Sequence, residues 1–377
     1  MQKKSMHEIG NSKGSASPDT QADSEWLHLF VPGRLCLFGE HSDWAGEYRR
    51  EIAALPAGHC IAVGTEQGIH ARVRKRDGIL AACSQLPDSK FVESLCMPLE
   101  PVELQRMART GGFWSYVTGT LHEVMGAYAI AGLEIDCYRM DLPFKKGLSS
   151  SAAVCVLVAQ ACNQLYGLNL DRREEMELAY RGEILTPSRC GRMDQVCAFG
   201  QVPMFLTFDG EDLAMEAIPT GGMFHYLIVD LQGAKDTITI LRTLRTQFLT
   251  GVGSLAEGVR RTLGPLNQQI LYQARLALSD GDARRVGELM VEAQNIFDQL
   301  VAPACPAELT APLLHRVLEY PPLQELIWGC KGVGSQGDGT AQLLTKGAEE
   351  RRKAQSILKD DLGLSCLSLT LTPAKET

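Results

Sequence analysis

Apolar residues first gather at Trp26. Before it, residues 1–24 are a run of Ser, Lys, Gln, Asp and Gly with almost nothing to bury, which predicts a loose, disordered tail. Beyond it, apolar runs over 27–31 and 35–38 predict two strands about a Pro32-Gly33 turn, and 60–64 and 69–74 predict two more. Residues 81–101 suggest only loop and one short strand. Over 102–131 the apolar positions fall at helical spacing, interrupted at Gly111-Gly112. A short helix and a longer one carrying Trp114, Val117, Leu121 and Val124 are expected there. Alternation over 133–142 predicts a strand, which leads towards the apolar run 152–165, a helix that Gly167 ends.

The second half is mostly helical. After a helix over 172–185 and strands over 202–208 and 225–231, helices are predicted over 236–248, 254–278, 282–301 and 322–330. A strand over 340–345, a charged helix and a strand over 364–371 follow. Strands mixed with blocks of helices, without regular β-α alternation, place the chain in the α+β class. At 377 residues it is long enough for two cores, with a boundary expected within 210–222.

Composition then narrows the function classes. A formal net charge of −8 argues against a surface for nucleic acid or an anionic membrane, and no apolar run is long enough to span a bilayer. Twelve cysteines are scattered, mostly in apolar runs, without a Cys-x-x-Cys pair, and the amino terminus is polar rather than secretory. Reduced thiols in the cytoplasm are the expectation. The histidines are too dispersed to suggest a metal cluster. A phosphate-bearing ligand would have to be met by local cations and backbone amides.

One stretch suits that task. Pro143-Phe144-Lys145-Lys146-Gly147-Leu148-Ser149-Ser150-Ser151-Ala152-Ala153 joins a basic, flexible turn to a helix start. The unpaired amides and positive end of a helix bind anions, and glycine lets the backbone approach closely. The lysines are not placed as in the phosphate loop that carries lysine just before its hydroxyl residue. The serines would equally serve to cap a buried helix; what favours a cradle is the company it keeps. A polar loop, Gly39-Glu40-His41-Ser42-Asp43-Trp44-Ala45-Gly46, carries two carboxylates and an imidazole. Cys190-Gly191-Arg192-Met193-Asp194-Gln195 forms a turn, and 331–339 is dense in glycine.

In this order the segments resemble the GHMP superfamily of small-molecule kinases, named for galactokinase, homoserine kinase, mevalonate kinase and phosphomevalonate kinase. Pro32-Gly33-Arg34 and Gly39 to Trp44 are similar to the first motif of galactokinase-like sugar 1-kinases (Pro-Gly-Arg, then Gly-Glu-His-Thr-Asp-Tyr). Cys190 to Gln195 matches their Cys-Gly-x-Met-Asp-Gln turn. The helical block 236–301, with Gly253-Ser254-Leu255-Ala256-Glu257, looks somewhat like plant glucuronokinases.

The resemblance implies a two-domain α+β fold. Residues 25–215 would form a ribosomal S5 domain 2-like N-terminal domain holding the ATP phosphates and the sugar, and 216–377 a ferredoxin-like C-terminal domain. It implies transfer of the γ-phosphate of ATP to the anomeric hydroxyl of a monosaccharide, with Mg2+ as cofactor and without a phosphoenzyme. Asp194 would be the catalytic carboxylate and Arg34 would neutralise charge. Glu40, His41, Asp43 and Trp44 would hold the sugar. Lys145, Gly147, Leu148, Ser149, Ser150, Ser151 and Ala152 would hold ATP phosphates, with Trp114 near the adenine. Ser150 and Glu183 would ligate the metal, Glu177 being a rival for the second place. Partners would be the sugar and ATP, with no nucleic acid or membrane, and the chain a monomer or homodimer.

Two departures from the family pattern bear on specificity. Glu47 to Glu51 intervene before Ala54-Leu55-Pro56, altering one wall of the acceptor pocket. The late loop, Gly334-Ser335-Gln336-Gly337-Asp338-Gly339, adds a carboxylate where a triphosphate is expected. A uronic acid such as glucuronate, or another sugar such as arabinose, therefore stays open as acceptor, with Arg49 or Arg50 as a cation for an acidic one. A non-catalytic sensor that binds ATP and sugar stays open as well.

Overall fold

The computed structural model describes residues 26–85, 92–142, 147–188 and 190–374. The tail expected at 1–24, and Lys145 of the cradle, lie outside the described residues.

The first sheet is built from seven strands. They are β1 (Leu27–Phe38), β2 (Gly58–Arg74), β3 (Ile79–Gln85), β4 (Val92–Pro98), β5 (Leu133–Met140), β6 (Met204–Asp209) and β7 (Asp212–Ala217). The order is β4-β3-β5-β2-β6-β7, with β1 pairing β2, and all pairs are antiparallel except β3 with β5. The two strands expected about Pro32-Gly33 are in fact one. A register shift between Pro32 and Arg34 absorbs the proline, so the chain bulges instead of turning. Likewise 58–74 is a single strand, long enough to pair with β6 at one end and β5 at the other. Residues 79–85 and 92–98, which show little pattern, form the paired strands β3 and β4, and β7 lies inside the stretch expected as boundary.

Helices cover one face. α1 (Ser42–Glu47) follows β1; α2 (Pro101–Thr110) and α3 (Ser115–Ala127) follow β4; α4 (Ser150–Tyr166) and α5 (Arg172–Ile184) follow β5. α4 is buried around most of its circumference, since its small residues Ala152, Ala153, Cys155, Ala159 and Ala161 let β1, α3 and α5 approach together.

The second sheet, order β11-β8-β10-β9, is antiparallel: β8 (Phe224–Asp230), β9 (Ile327–Gly332), β10 (Thr340–Thr345) and β11 (Ser365–Leu371). Between β8 and β9 run α6 (Thr237–Leu249), α7 (Gly253–Arg261), α8 (Asn267–Asp280), α9 (Ala283–Leu300) and α10 (Pro312–Leu318), and α11 (Ala348–Asp360) precedes β11. The helix expected over 254–278 is broken by a π turn at Thr262–Leu266, where Gly264 leaves helical geometry and Pro265 removes a donor. The helix expected over 322–330 is only a turn at Pro321–Gln324, followed by β9. Pairing with β10 and close packing of Gly329 on Gly287 of α9 override the local pattern.

The sheets meet at β1 and β2. Gln342 of β10 donates to the Cys36 carbonyl at 2.9 Å, and the amide of Thr370 in β11 donates to Glu66 at 2.7 Å.

Candidate functional site

The turn before α4 and the bulge of β1 are joined directly. The amide of Arg34 donates to the Leu148 carbonyl at 2.9 Å, and its guanidinium reaches the Gly147 carbonyl at 3.5 Å. Ser149, at the helix boundary, adopts a left-handed backbone with φ of 54°, and no side chain caps the first turn. The serines therefore do not cap the helix. Ser149, Ser150 and Ser151 instead border a cavity of about 1050 Å³.

Arg34 forms a buried ion pair with Asp194, the first residue of a short 3-10 turn (Asp194–Phe199). Burial is the largest influence on Arg34 and works against its charge, but Asp194, with Cys36 and Asp43, together offset it, so the net shift is upward. The Asp194 carboxylate stays partly exposed on the cavity side. Arginine, carboxylate and uncapped helix start thus share one wall.

The loop after β1 supplies the adjoining wall. His41 has φ of 71°, which turns the chain sharply into α1. Its Nδ1 accepts from the Trp44 indole at 3.2 Å, which leaves the proton of the neutral ring on Nε2. Burial, then Lys235, pushes its pKa down to about 3, so the ring is neutral at physiological pH. Asp43 is buried, and its pKa is raised to about 6, by burial first and by Asp194 second. Its carboxylate lies on the backbone of Gly191: a Cβ there would come within 1.8 Å of Oδ2. The glycine of the Cys-Gly-x-Met-Asp-Gln turn is thus required by the aspartate of the first loop. Trp44 packs edge-on against Phe248 of α6, 5.6 Å between centroids, and borders the cavity.

Behind Asp194 lies Glu183, fully buried on α5. One carboxylate oxygen accepts from Gln195 at 2.7 Å, while Oε1 has no hydrogen-bond partner among the described residues. Burial, then Asp194, raises its pKa to about 7, and Ser151 is among the groups that oppose the rise. The rival Glu177 is half-exposed and faces Arg192 at 3.7 Å.

Other expected residues stand elsewhere. Glu40 is not among the cavity residues; it forms a buried ion pair with Lys331 of β9. Ala152 is buried within α4 and also stands back from the cavity. Arg49 pairs with Asp209 at 2.6 Å and Arg50 with Glu51 at 3.5 Å, and neither borders the cavity. Asp338 does not face a phosphate: its carboxylate accepts from the Leu314 amide at 2.9 Å, in the first turn of α10. Trp114 borders the cavity, edge-on to Phe113 at 4.8 Å.

Sequence reading passed over Lys235, Arg245, Phe113 and Lys331. Lys235 follows β8 and donates to the Gln336 carbonyl at 2.8 Å, and burial lowers its pKa to about 8. Lys331 had a signal: a lone lysine among apolar strand residues is buried only with a partner. Lys235, in the loop after β8, and Arg245, on α6, carry no such signal.

The model of the GHMP kinases N terminal domain matches residues 115–201. A galactokinase of Lactococcus lactis subsp. lactis is 32% identical over 200 residues, covering 51% of this chain but only 45% of that protein. One of Thermococcus kodakarensis is 27% identical over 293 residues, covering 71% of this chain and 76% of the relative. In structure, the Lactococcus lactis galactokinase complexed with galactose superposes with a TM-score of 0.71 at 20% identity, over 93% of this chain and 94% of the other. The chain has a GHMP kinase N-terminal domain and a GHMP kinase fold, and it is similar to galactokinases.

Proposed function

We propose that this chain, a phosphotransferase by those similarities, moves the γ-phosphate of ATP to the anomeric hydroxyl of a monosaccharide bound at the Asp43–Trp44 wall. The observation that carries this reading is the Arg34–Asp194 pair, set between the uncapped start of α4 and the Asp43 loop in one cavity. The two domains of this reading are residues 25–215 and 216–377; since β7 runs to Ala217 and the second sheet begins at Phe224, the boundary between them is drawn within 218–223.

Each group has work suited to its state. Phosphoryl transfer depends mostly on positioning and on neutralising charge spread over the equatorial oxygens. The Gly147–Ser151 segment and Lys235 meet the triphosphate. Arg34 stands between phosphate and acceptor, and Asp194 orients the acceptor hydroxyl and takes its proton. Asp43, ionised above pH 6, accepts from sugar hydroxyls, while neutral His41 donates through Nε2. Their fixed roles reject sugars that leave either unpaired. Phe113 and Trp114, their rings at right angles, offer an apolar corner for the adenine.

The residues present also fit a magnesium ion. Glu183 Oε1 is a buried carboxylate oxygen without a partner, and the Ser150 and Ser151 hydroxyls add the oxygen donors that a hard cation takes. These three residues would hold it, and it would neutralise phosphate charge. Binding the cation would draw off the proton that burial favours on Glu183.

The test is ADP release from MgATP across a panel of neutral and acidic monosaccharides, with Asp194→Ala as control. Turnover with at least one sugar, reduced at least about a hundredfold by the substitution, is expected. Tight binding of sugar and nucleotide without turnover of any sugar would overturn catalysis and leave a sensor.

A further inference from the structure

Among the cations around the cavity, most already have partners. Arg34 is paired with Asp194, Lys331 with Glu40, and Lys235 is held by the Gln336 carbonyl beside the glycine loop. That loop faces the cradle: a Cβ on Gly334 would lie 4.0 Å from the Gly147 Cα. Lys235 thus belongs to the phosphate side.

Arg245 is different. It borders the cavity from α6, eight residues beyond Thr237 and so about 12 Å further along the helix axis, away from the phosphate side. Its guanidinium lies 5.5 Å from the centre of the Trp44 ring, on the acceptor wall. It forms no ion pair or hydrogen bond among the described residues, and its Nε is buried without a partner. Its charge acts on the Glu47 carboxylate, but Arg192 and Arg50 act on that group more strongly. An arginine lying over a tryptophan, with a planar fork of donors left unused, suits an oxyanion arriving with the ligand.

We propose that Arg245 binds an anionic group on the acceptor, so that the preferred substrate is an acidic monosaccharide. This rests on the sugar-kinase reading above. The anion is a carboxylate, as in a hexuronic acid, or a phosphate, as in a sugar monophosphate; both present the oxygens that the fork requires. Arg245 is then a specificity residue that acts on substrate binding and not on the reacting atoms.

The experiment uses the full chain with MgATP and three acceptors of one configuration: galactose, galacturonate and galactose 6-phosphate. Wild-type kcat/KM for one of the two acids is expected to exceed that for galactose at least tenfold, and which acid it is identifies the anion. Arg245→Gln should lower the acid-to-neutral ratio at least tenfold, chiefly through KM, and Arg245→Lys should recover part of it. A ratio that does not move in Arg245→Gln, or a wild type that prefers galactose, overturns the proposal. A rise in KM for ATP alone would assign Arg245 to the nucleotide and overturn it equally. Calorimetric binding of the same three ligands to wild type and Arg245→Gln decides the matter if no sugar is turned over. That result would sink the kinase reading while still showing whether Arg245 selects an anion.

Discussion

Lys331 and Glu40, 291 residues apart, form a buried ion pair that ties β9 to the loop after β1. The ammonium also donates to the Gly332 carbonyl at 2.9 Å. A first-motif residue expected to hold sugar is thus committed to joining the two sheets, one step before His41. Removing a single partner strands a buried charge, so Lys331→Met should cost about 3–5 kcal/mol of stability. Lys331→Met with Glu40→Met should recover most of it. Urea unfolding of the three variants measures this, and a single-variant cost below about 1 kcal/mol would contradict a structural role.

Gly191→Ala should act on the acceptor side. The added methyl would meet Asp43 Oδ2, so the carboxylate must leave its place. KM for the sugar should rise at least about tenfold, because a displaced hydrogen-bonding group is worth one to a few kcal/mol in discrimination. Steady-state kinetics with sugar and ATP varied in turn check whether the change falls on the sugar.

Asp338→Ala tests the reading of the late loop. The carboxylate satisfies the Leu314 amide, one of the donors left over at the start of α10. Its loss should cost about 0.5–2 kcal/mol, in the range of a helix cap. If the side chain repelled phosphate instead, the same change would lower KM for ATP, so melting and ATP kinetics together separate the two.

Glu183 gives a pH prediction. Its pKa rises from 4.5 unfolded to about 7 folded, because burial and Asp194 oppose its charge. The folded state therefore binds the proton more tightly, and stability falls as pH rises between those values, with the penalty complete above about 7. Glu183→Gln removes that penalty. Without magnesium, the variant's Tm relative to wild type should be higher at pH 8 than at pH 5. Magnesium should raise the Tm of wild type more than that of the variant. Thermal melts at both pH values, with and without the ion, test this.

Much of the site was legible because its chemistry is local. Glycine and serine at a helix start, a loop dense in carboxylate and imidazole, and an aspartate turn each announce themselves over a few residues. Asp194, Arg34, His41, Asp43, Trp44, Trp114 and the three serines all border the cavity. What misled was also local. Pro32-Gly33 has turn composition but sits in a bulge, and 322–330 has helical spacing but ends in a strand paired with β10.

By itself the sequence determined which segments gather chemically capable side chains, their order, and the mixed class of the fold, since hydrophobic period and turn residues act over short range. Only the tertiary structure decided which charge meets which. It joined Glu40 to Lys331, turned Asp338 towards Leu314, took Arg49 to Asp209, and left Arg245 over Trp44. Such pairings join residues far apart along the chain, and electrostatics is decided by distance and burial in space, which no local pattern encodes.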